Sequence, residues 1–511
     1  MTAEPRRSLP PRPDLGHQKK LAKELLRAIQ SGDASALERV REQLPDKTSL
    51  TLADAQYVLA REYGFANWAA LKAHIEATRV MERLPLDQFR KAFERCDAAQ
   101  VKQLLKAYPE AKSVLDEPMF AFGGTALIHA ASHGAMDLVD VLIDAGADPN
   151  RRSDWWAGPF HVLHSVDGAM ADRLIARGAV PDACAAARID RVDLLRDMLR
   201  ADPRRVHERG GDGQTPLHFA RSRAVVDLLL EHGADPDVRD VDHRSTPAQW
   251  MLEGRRGAGR YDLARYLVEC GATPDIFLAA ALGLTDRVRD MLRADASLLD
   301  LRTTRGEYGE KPPSSFHIYM WTIGANLSPQ QVAAQFEQHA VLDVMQEFGT
   351  PRQRFLAACA AARSEEARAL VRDRPTLVSE LSPEDQRVLP DAGWAGNADA
   401  VGLMLELGFD PLTPGQDTGT VLHCAAWQGE AAAVRTALRH PGVRALVNHR
   451  EATHHSTPLG WCAHGSVHCR NVGGDYPAVA RELLAAGAKV GPETAEASPE
   501  VRAILDAGRA G

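Results

Sequence analysis

Nothing in this chain of 511 residues is long and apolar. No run approaches the roughly 18–20 residues that a membrane helix needs. No apolar leader core follows Met1 either. Both absences predict a cytoplasmic protein with no membrane partner. Cysteine is sparse and odd in number: Cys96, Cys184, Cys270, Cys359, Cys424, Cys462 and Cys469. Most fall in helical patterns, which excludes a disulfide framework and predicts small core residues in a reducing compartment. A basic excess is missing, with 61 Lys and Arg against 69 Asp and Glu. That balance argues against a nucleic-acid partner, which calls for a basic face. The compact basic stretch Arg255 to Arg260 is read as a solvated loop. Aromatics are only 6%, which suits thin, closely packed helix pairs. Also absent are G-x-S-x-G, a P-loop, H-E-x-x-H and any strand periodicity able to build an α/β sheet. No catalytic residue and no cofactor is therefore assigned.

What is present is a returning punctuation. Thr215-Pro216-Leu217-His218 opens a unit and Gly233-Ala234-Asp235-Pro236 closes it. Thr420, Thr246-Pro247 and Thr457-Pro458-Leu459 repeat the opening. Gly146-Ala147, Gly178-Ala179, Gly271-Ala272, Gly408-Phe409 and Gly487-Ala488 repeat the close. Thr caps a helix N-terminus through its hydroxyl. Pro fits the first helical position, where its missing N–H costs nothing. Gly past a Leu-rich helix supplies the left-handed cap. Two short helices are thus bracketed in about 33 residues. A second series keeps the small-residue first helix without the Thr-Pro start: Phe89 to Asp97, Ala183 to Asp190, Phe277 to Asp286 and Phe355 to Arg363.

These units resemble the ankyrin repeat. Thr420 to Gly429 reads T-V-L-H-C-A-A-W-Q-G against the family pattern T-P-L-H-x-A-A-x-x-G, and Thr125 to Gly134 matches nearly as well. Gly158 to His161 and Ser314 to His317 are degenerate openings. Residues 17–79 resemble the helical region that precedes ankyrin repeats in many bacterial proteins. The Ala, Arg, Asp and Gly bias also fits a GC-rich bacterial genome. The expectation is an all-α ankyrin-repeat solenoid of about twelve helix-pair units. Its parts are a disordered N-terminus over 1–16, a helical cap over 17–82, the solenoid over 83–490 and a C-terminal capping segment over 491–511. Tyr63, Phe65 and Trp68 are expected to cover the first repeat's open face.

The resemblance implies a non-enzymatic scaffold that binds another protein, unidentified, in a concave groove, as a monomer. The eighth motif residue lies on the first helix of each unit and faces that groove. It is Ser132, Ser165, Ser222, Glu253, Trp321, Trp427 and His464. Trp is unusual there, and exposed aromatics are typical binding anchors. Trp321, Trp427, His464 and Glu253, with Trp155 and Trp156 at a repeat tip, are the candidate partner-binding residues. His129, His218, His317 and His423 are read as cap and core residues. The alternative is an enzyme or a small-ligand or metal-binding protein using the His/Cys-rich C-terminal repeats and inserted loops. Cys462, His464, His468 and Cys469 carry ligand types that zinc prefers, but their spacing lacks a second clean pair. Cys462 also falls where the family keeps Ala, so it should face the core and no metal is expected. The inserted loops are Gly254 to Gly259, Thr303 to Pro313 and Ser466 to Asp475.

Overall fold

The computed structural model describes residues 7–10, 12–47, 49–252, 260–469, 471 and 473–510. Helices carry the whole architecture, and among the described residues the strand-like pairings are two isolated bridges, Phe120 with Gly124 and Lys311 with Ser314. The chain divides into two compact units, Met1–Phe219 and Ala220–Gly511. No helix of the described residues is long and apolar enough to cross a membrane.

In the first unit, Leu15–Gln30, Ala34–Gln43, Leu52–Glu62 and Trp68–Met81 form two helix pairs ahead of the repeats. The first of these helices starts at Leu15, inside the stretch assigned to the N-terminal tail. Tyr63, Phe65 and Trp68 pack on Ala60, Leu71 and Ile75 together with Leu9 and Leu15. The link to the repeats runs instead through the far end of Trp68–Met81, where Ala77 joins the cluster of Phe89, Phe93 and Leu105.

In the second unit the pairs stack in two rows. Val388–Trp394, Val421–Trp427 and Pro458–His468 pack on one another as the first row. Ala398–Glu406, Ala431–Arg439 and Tyr476–Ala485 form the second. A continuous core lies between the rows, with Leu389, Leu422, Leu459, Val401, Val434 and Val479 fully buried. Each pair leaves one face for its neighbour, so the core is linear. Two of these second-row helices, Ala398–Glu406 and Tyr476–Ala485, end on a left-handed glycine, Gly408 and Gly487. At Gly487 (φ 98°) its amide bonds to Leu484 O and the next amide to Leu483 O, which satisfies two otherwise orphaned carbonyls.

The openings are tied by a recurrent box. The Thr215 amide donates to His218 Nδ1 at 3.1 Å, and the Thr420 amide to His423 Nδ1 at 3.2 Å. A glutamine does the same elsewhere: Thr246 to Gln249, Ser328 to Gln331 and Thr350 to Gln353, at 2.7–3.0 Å. Two openings are displaced from their sequence assignment. At Gly158 to His161, the capping residue is His161 itself, whose Nδ1 accepts from the Leu163 amide at 3.3 Å. His164 then takes the motif histidine's place and accepts from the His161 amide at 3.1 Å. At Ser314 to His317, the displacement is larger. The repeat's first helix is Pro329–Gln335, capped by Ser328, and it packs on Ile276–Ala281 as a first-row neighbour must. Ser328 to Glu337 reads S-P-Q-Q-V-A-A-Q-F-E, the motif with Glu337 (φ 56°) in the glycine place. Residues 303–327 are therefore one long insertion between repeats.

Candidate functional site

The insertion buries Tyr308, Ile318, Tyr319, Ile323 and Leu327 and is tied to the preceding repeats by hydrogen bonds. Arg244 donates to the carbonyls of Glu307, Gly309 and Ser315. Asp242 accepts from the Ser315 amide, and His243 bonds the Phe316 carbonyl at 2.9 Å. Tyr319 and Tyr308, both buried, donate their hydroxyls to the Asp275 carboxylate at 2.9 and 3.1 Å. Asp275 also caps Ile276–Ala281 by accepting from the Leu278 amide, and takes the Gln249 side chain at 2.8 Å. Burial raises its carboxyl pKa, and these four donors offset only part of that rise. The insertion ends in the short helix Tyr319–Thr322, which presents Trp321 with 56% of its surface exposed.

Trp321 thus does not occupy the eighth motif position. It sits on the inserted segment because the box that opens its repeat is at Ser328, not Ser314. The true eighth residue there is Gln335. Nonetheless Trp321, Trp427 and His464 come together. They line one cavity of about 670 Å³, with Trp394 and Trp461. Met320, Ile323 and Leu327 supply apolar wall from the insertion. The carboxylates on the wall are Asp391, Asp417 and Glu493, and among the described residues no lysine or arginine lines it.

Trp461 is anchored. It is 6% exposed, its indole N–H points to Glu451 Oε1 at 3.4 Å, and its ring meets His423 edge-on at 5.4 Å. Trp427 stands 6.1 Å from Trp461 at 75° and 5.6 Å from the His464 ring. Glycines make room: a Cβ on Gly419 would lie 2.8 Å from the Trp461 ring. Asp391 accepts from the Gln331 amide group at 3.0 Å. Burial pushes its carboxyl up to about 7. Cys424 also lines the cavity, and burial pushes its thiol up to about 12, far from the thiolate a nucleophile needs.

The sequence signal for Trp394 was available. Trp394 precedes Gly396 as Trp427 precedes Gly429, so it is an eighth-position residue whose unit opens with Arg387 in place of Thr. Asp417 and Glu493 carried no such signal, because both lie in irregular turns outside the motif. Glu253 and the inserted loop 254–259 lie outside the described residues. Trp155 and Trp156 belong to the first unit. There Trp155 donates its indole N–H to Asp212 at 2.9 Å and takes Phe122 edge-on, while Trp156 is 47% exposed.

The four zinc-type residues do not converge. Cys462 is fully buried, its thiol directed at the Tyr476 carbonyl 3.4 Å away, and Cys469 sits against Gln428. One turn of helix separates His464 from His468, and that pair instead shares the Glu496 carboxylate at 3.1 and 3.0 Å. These three exposed side chains bring their ligand atoms within 4.8 Å of one another.

Fold and site together define an all-α repeat protein with an aromatic cavity on the first-row side of its second unit. A family model for the ankyrin repeat matches residues 122–154 and 212–241. The ankyrin repeat protein YahD of Escherichia coli is 31% identical over 169 residues, 29% of this chain and 81% of that protein. Cyclin-dependent kinase 4 inhibitor B of Bos taurus is 32% identical over 114 residues, 22% of this chain and 86% of that protein. Ankyrin repeat and SAM domain-containing protein 6 of Mus musculus is 30% identical over 146 residues, 26% of this chain and 16% of that protein. The chain belongs to the ankyrin-repeat family.

Proposed function

We propose that this protein is a non-enzymatic interaction scaffold that holds a protein partner on the first-row face of its second unit. The observation that carries the reading is the cavity where four tryptophans from four segments meet. Tryptophan is the residue type most enriched among binding hot spots. A surface that spends four of the chain's eight on one concavity is built for contact. Membership in the ankyrin family supports protein partners as the ligand class. The inhibitor named among the relatives acts, by its printed name, on a protein kinase. Against catalysis stands the chemistry of the wall, where the thiol is held protonated.

The test is photo-crosslinking in the cells that make the protein, from a benzoylphenylalanine placed at Gln416 on the cavity rim. The expected result is a protein adduct that disappears in Trp427→Ala while the melting temperature holds. Absence of protein adducts, or adducts indifferent to Trp427, would overturn the scaffold assignment.

A further inference from the structure

The cavity has a sign as well as a shape. Among the described residues its carboxylates are Asp391, Asp417 and Glu493, and no lysine or arginine lines it. Glu493 is the informative member. Its Oε1 accepts from Arg450 at 2.9 Å and from the Thr457 hydroxyl at 3.2 Å. Its Oε2 is buried and has no hydrogen-bond partner among the described residues. A buried carboxylate oxygen left without a donor is unfavourable, because its lost hydration is not replaced. The fold nevertheless makes room for it: a Cβ on Gly460 would lie 2.7 Å from Glu493 Cγ and 2.3 Å from Ser456 Oγ. The cavity is also lined by indole rings, whose faces carry negative quadrupole charge.

We propose that this cavity takes an arginine side chain of the protein partner, its guanidinium lying against the indoles and donating to Glu493 and Asp417. The proposal rests on the scaffold assignment and names what the scaffold reads. An apolar side chain is disfavoured, because it would cover the half-exposed Asp417 carboxylate and strip it of water. A phosphate or carboxylate is disfavoured by the sign of the wall. Between the two basic side chains, the guanidinium is planar, weakly hydrated, carries five donors and stacks on aromatic faces. A lysine ammonium is compact and strongly hydrated, and uses the indole walls less well. A volume of about 670 Å³ admits a whole arginine and the backbone on either side of it. Burial holds the Asp391 carboxyl near 7, and a docked cation would favour its ionised form.

The experiment titrates the full chain with N-acetyl-arginine amide and follows tryptophan fluorescence. N-acetyl-citrulline amide, the neutral isostere, and N-acetyl-lysine amide run beside it. The expected result is saturable quenching by the arginine compound, with citrulline weaker by at least about tenfold, the scale of one charge-assisted hydrogen bond. Lysine should fall between the two. Glu493→Gln keeps the shape of the side chain, and Asp417→Asn changes a half-exposed residue. Each should weaken arginine binding by a similar factor, and the second covers the case in which the first disturbs Arg450. Citrulline or lysine binding as tightly as arginine would overturn the proposal, as would arginine binding unchanged in both variants. If arginine fails to bind while the Trp427-dependent crosslink persists, the guanidinium assignment is wrong and the scaffold stands. Loss of that crosslink removes the scaffold itself.

Discussion

The two ring nitrogens of His423 are both committed: Nδ1 accepts from the Thr420 amide at 3.2 Å, and Nε2 donates to the Ser456 carbonyl of the next repeat at 3.2 Å. One neutral tautomer therefore closes its own helix and staples the neighbour. Burial pulls its pKa down to about 4.

That shift makes the staple acid-labile. In the unfolded chain a histidine titrates near 6.5. Since the folded pKa is lower, the unfolded state binds more protons, and stability falls as pH drops from about 6.5 toward 4. Glutamine fills the same place at Gln249 and Gln331, accepting from the cap amide and donating onward to Asp275 and Asp391. His423→Gln is expected to change stability little at pH 7.5. At pH 5 it should gain about 2 kcal/mol over the parent, the linkage integral from pH 7.5 down to pH 5 for those two pKa values. Urea melts at the two pH values measure this. An equal effect at both would mean that the ring does not titrate as described.

The repeat, its caps and the all-α class were legible because they are local. A capping threonine, a proline at the first helical position and a terminal glycine act within one turn. The register failed where two local signals competed. Ser314 to His317 looks like an opening, but Ser328-Pro329 is the opening whose helix stacks in the row. Stacking is a tertiary choice that a single unit does not encode. Trp427 and His464 were legible from motif position. Trp321 was placed for the wrong reason and reaches the same cavity through the insertion. Asp417 and Glu493 were not legible, because a turn carries no periodicity from which to read orientation.

Where the first helix of a pair ends, Gly134, Gly396 and Gly429 adopt φ of 68–72°. Ala362 holds the same place at φ 55°, with its amide on Cys359 O and the following amide on Ala358 O. A left-handed alanine costs roughly 1–2 kcal/mol. Ala362→Gly should raise stability by about 1 kcal/mol after allowing for the added freedom of the unfolded chain. Thermal melts of the two proteins decide it, and a lower midpoint in the glycine variant would contradict the strain argument.

Tyr319 ties the insertion to Asp275 by a hydrogen bond to its buried carboxyl group. A hydrogen bond contributes about 0.5–1.5 kcal/mol net, and more where the acceptor is charged. Tyr319→Phe keeps the ring and removes the donor, so its cost should fall on the insertion rather than on the repeats. Hydrogen exchange should show lost protection at Ile318, whose amide donates to the Ser245 hydroxyl, and at Thr322, whose amide bonds within the segment, with little change at Val434 and Val479. Uniform loss across the second unit would mean that the insertion and the repeats open together.

The two ends of the cavity make opposite demands on their tryptophans. Trp461 is 6% exposed, bonded to Glu451 and packed on His423. Its truncation leaves a large void, and Trp461→Ala should cost about 3–5 kcal/mol. Trp321 is 56% exposed on a segment whose fold depends on Tyr308, Tyr319 and Arg244. Trp321→Ala removes mostly solvent-facing surface, so it should shift stability by less than about 1 kcal/mol. Its effect should appear in partner binding, where an anchoring tryptophan contributes about 2 kcal/mol or more on truncation. The measurements are chemical denaturation and crosslinking yield for each variant. A stable Trp321→Ala with parental crosslinking would remove the insertion from the interface, and a strongly destabilised one would make Trp321 a structural residue.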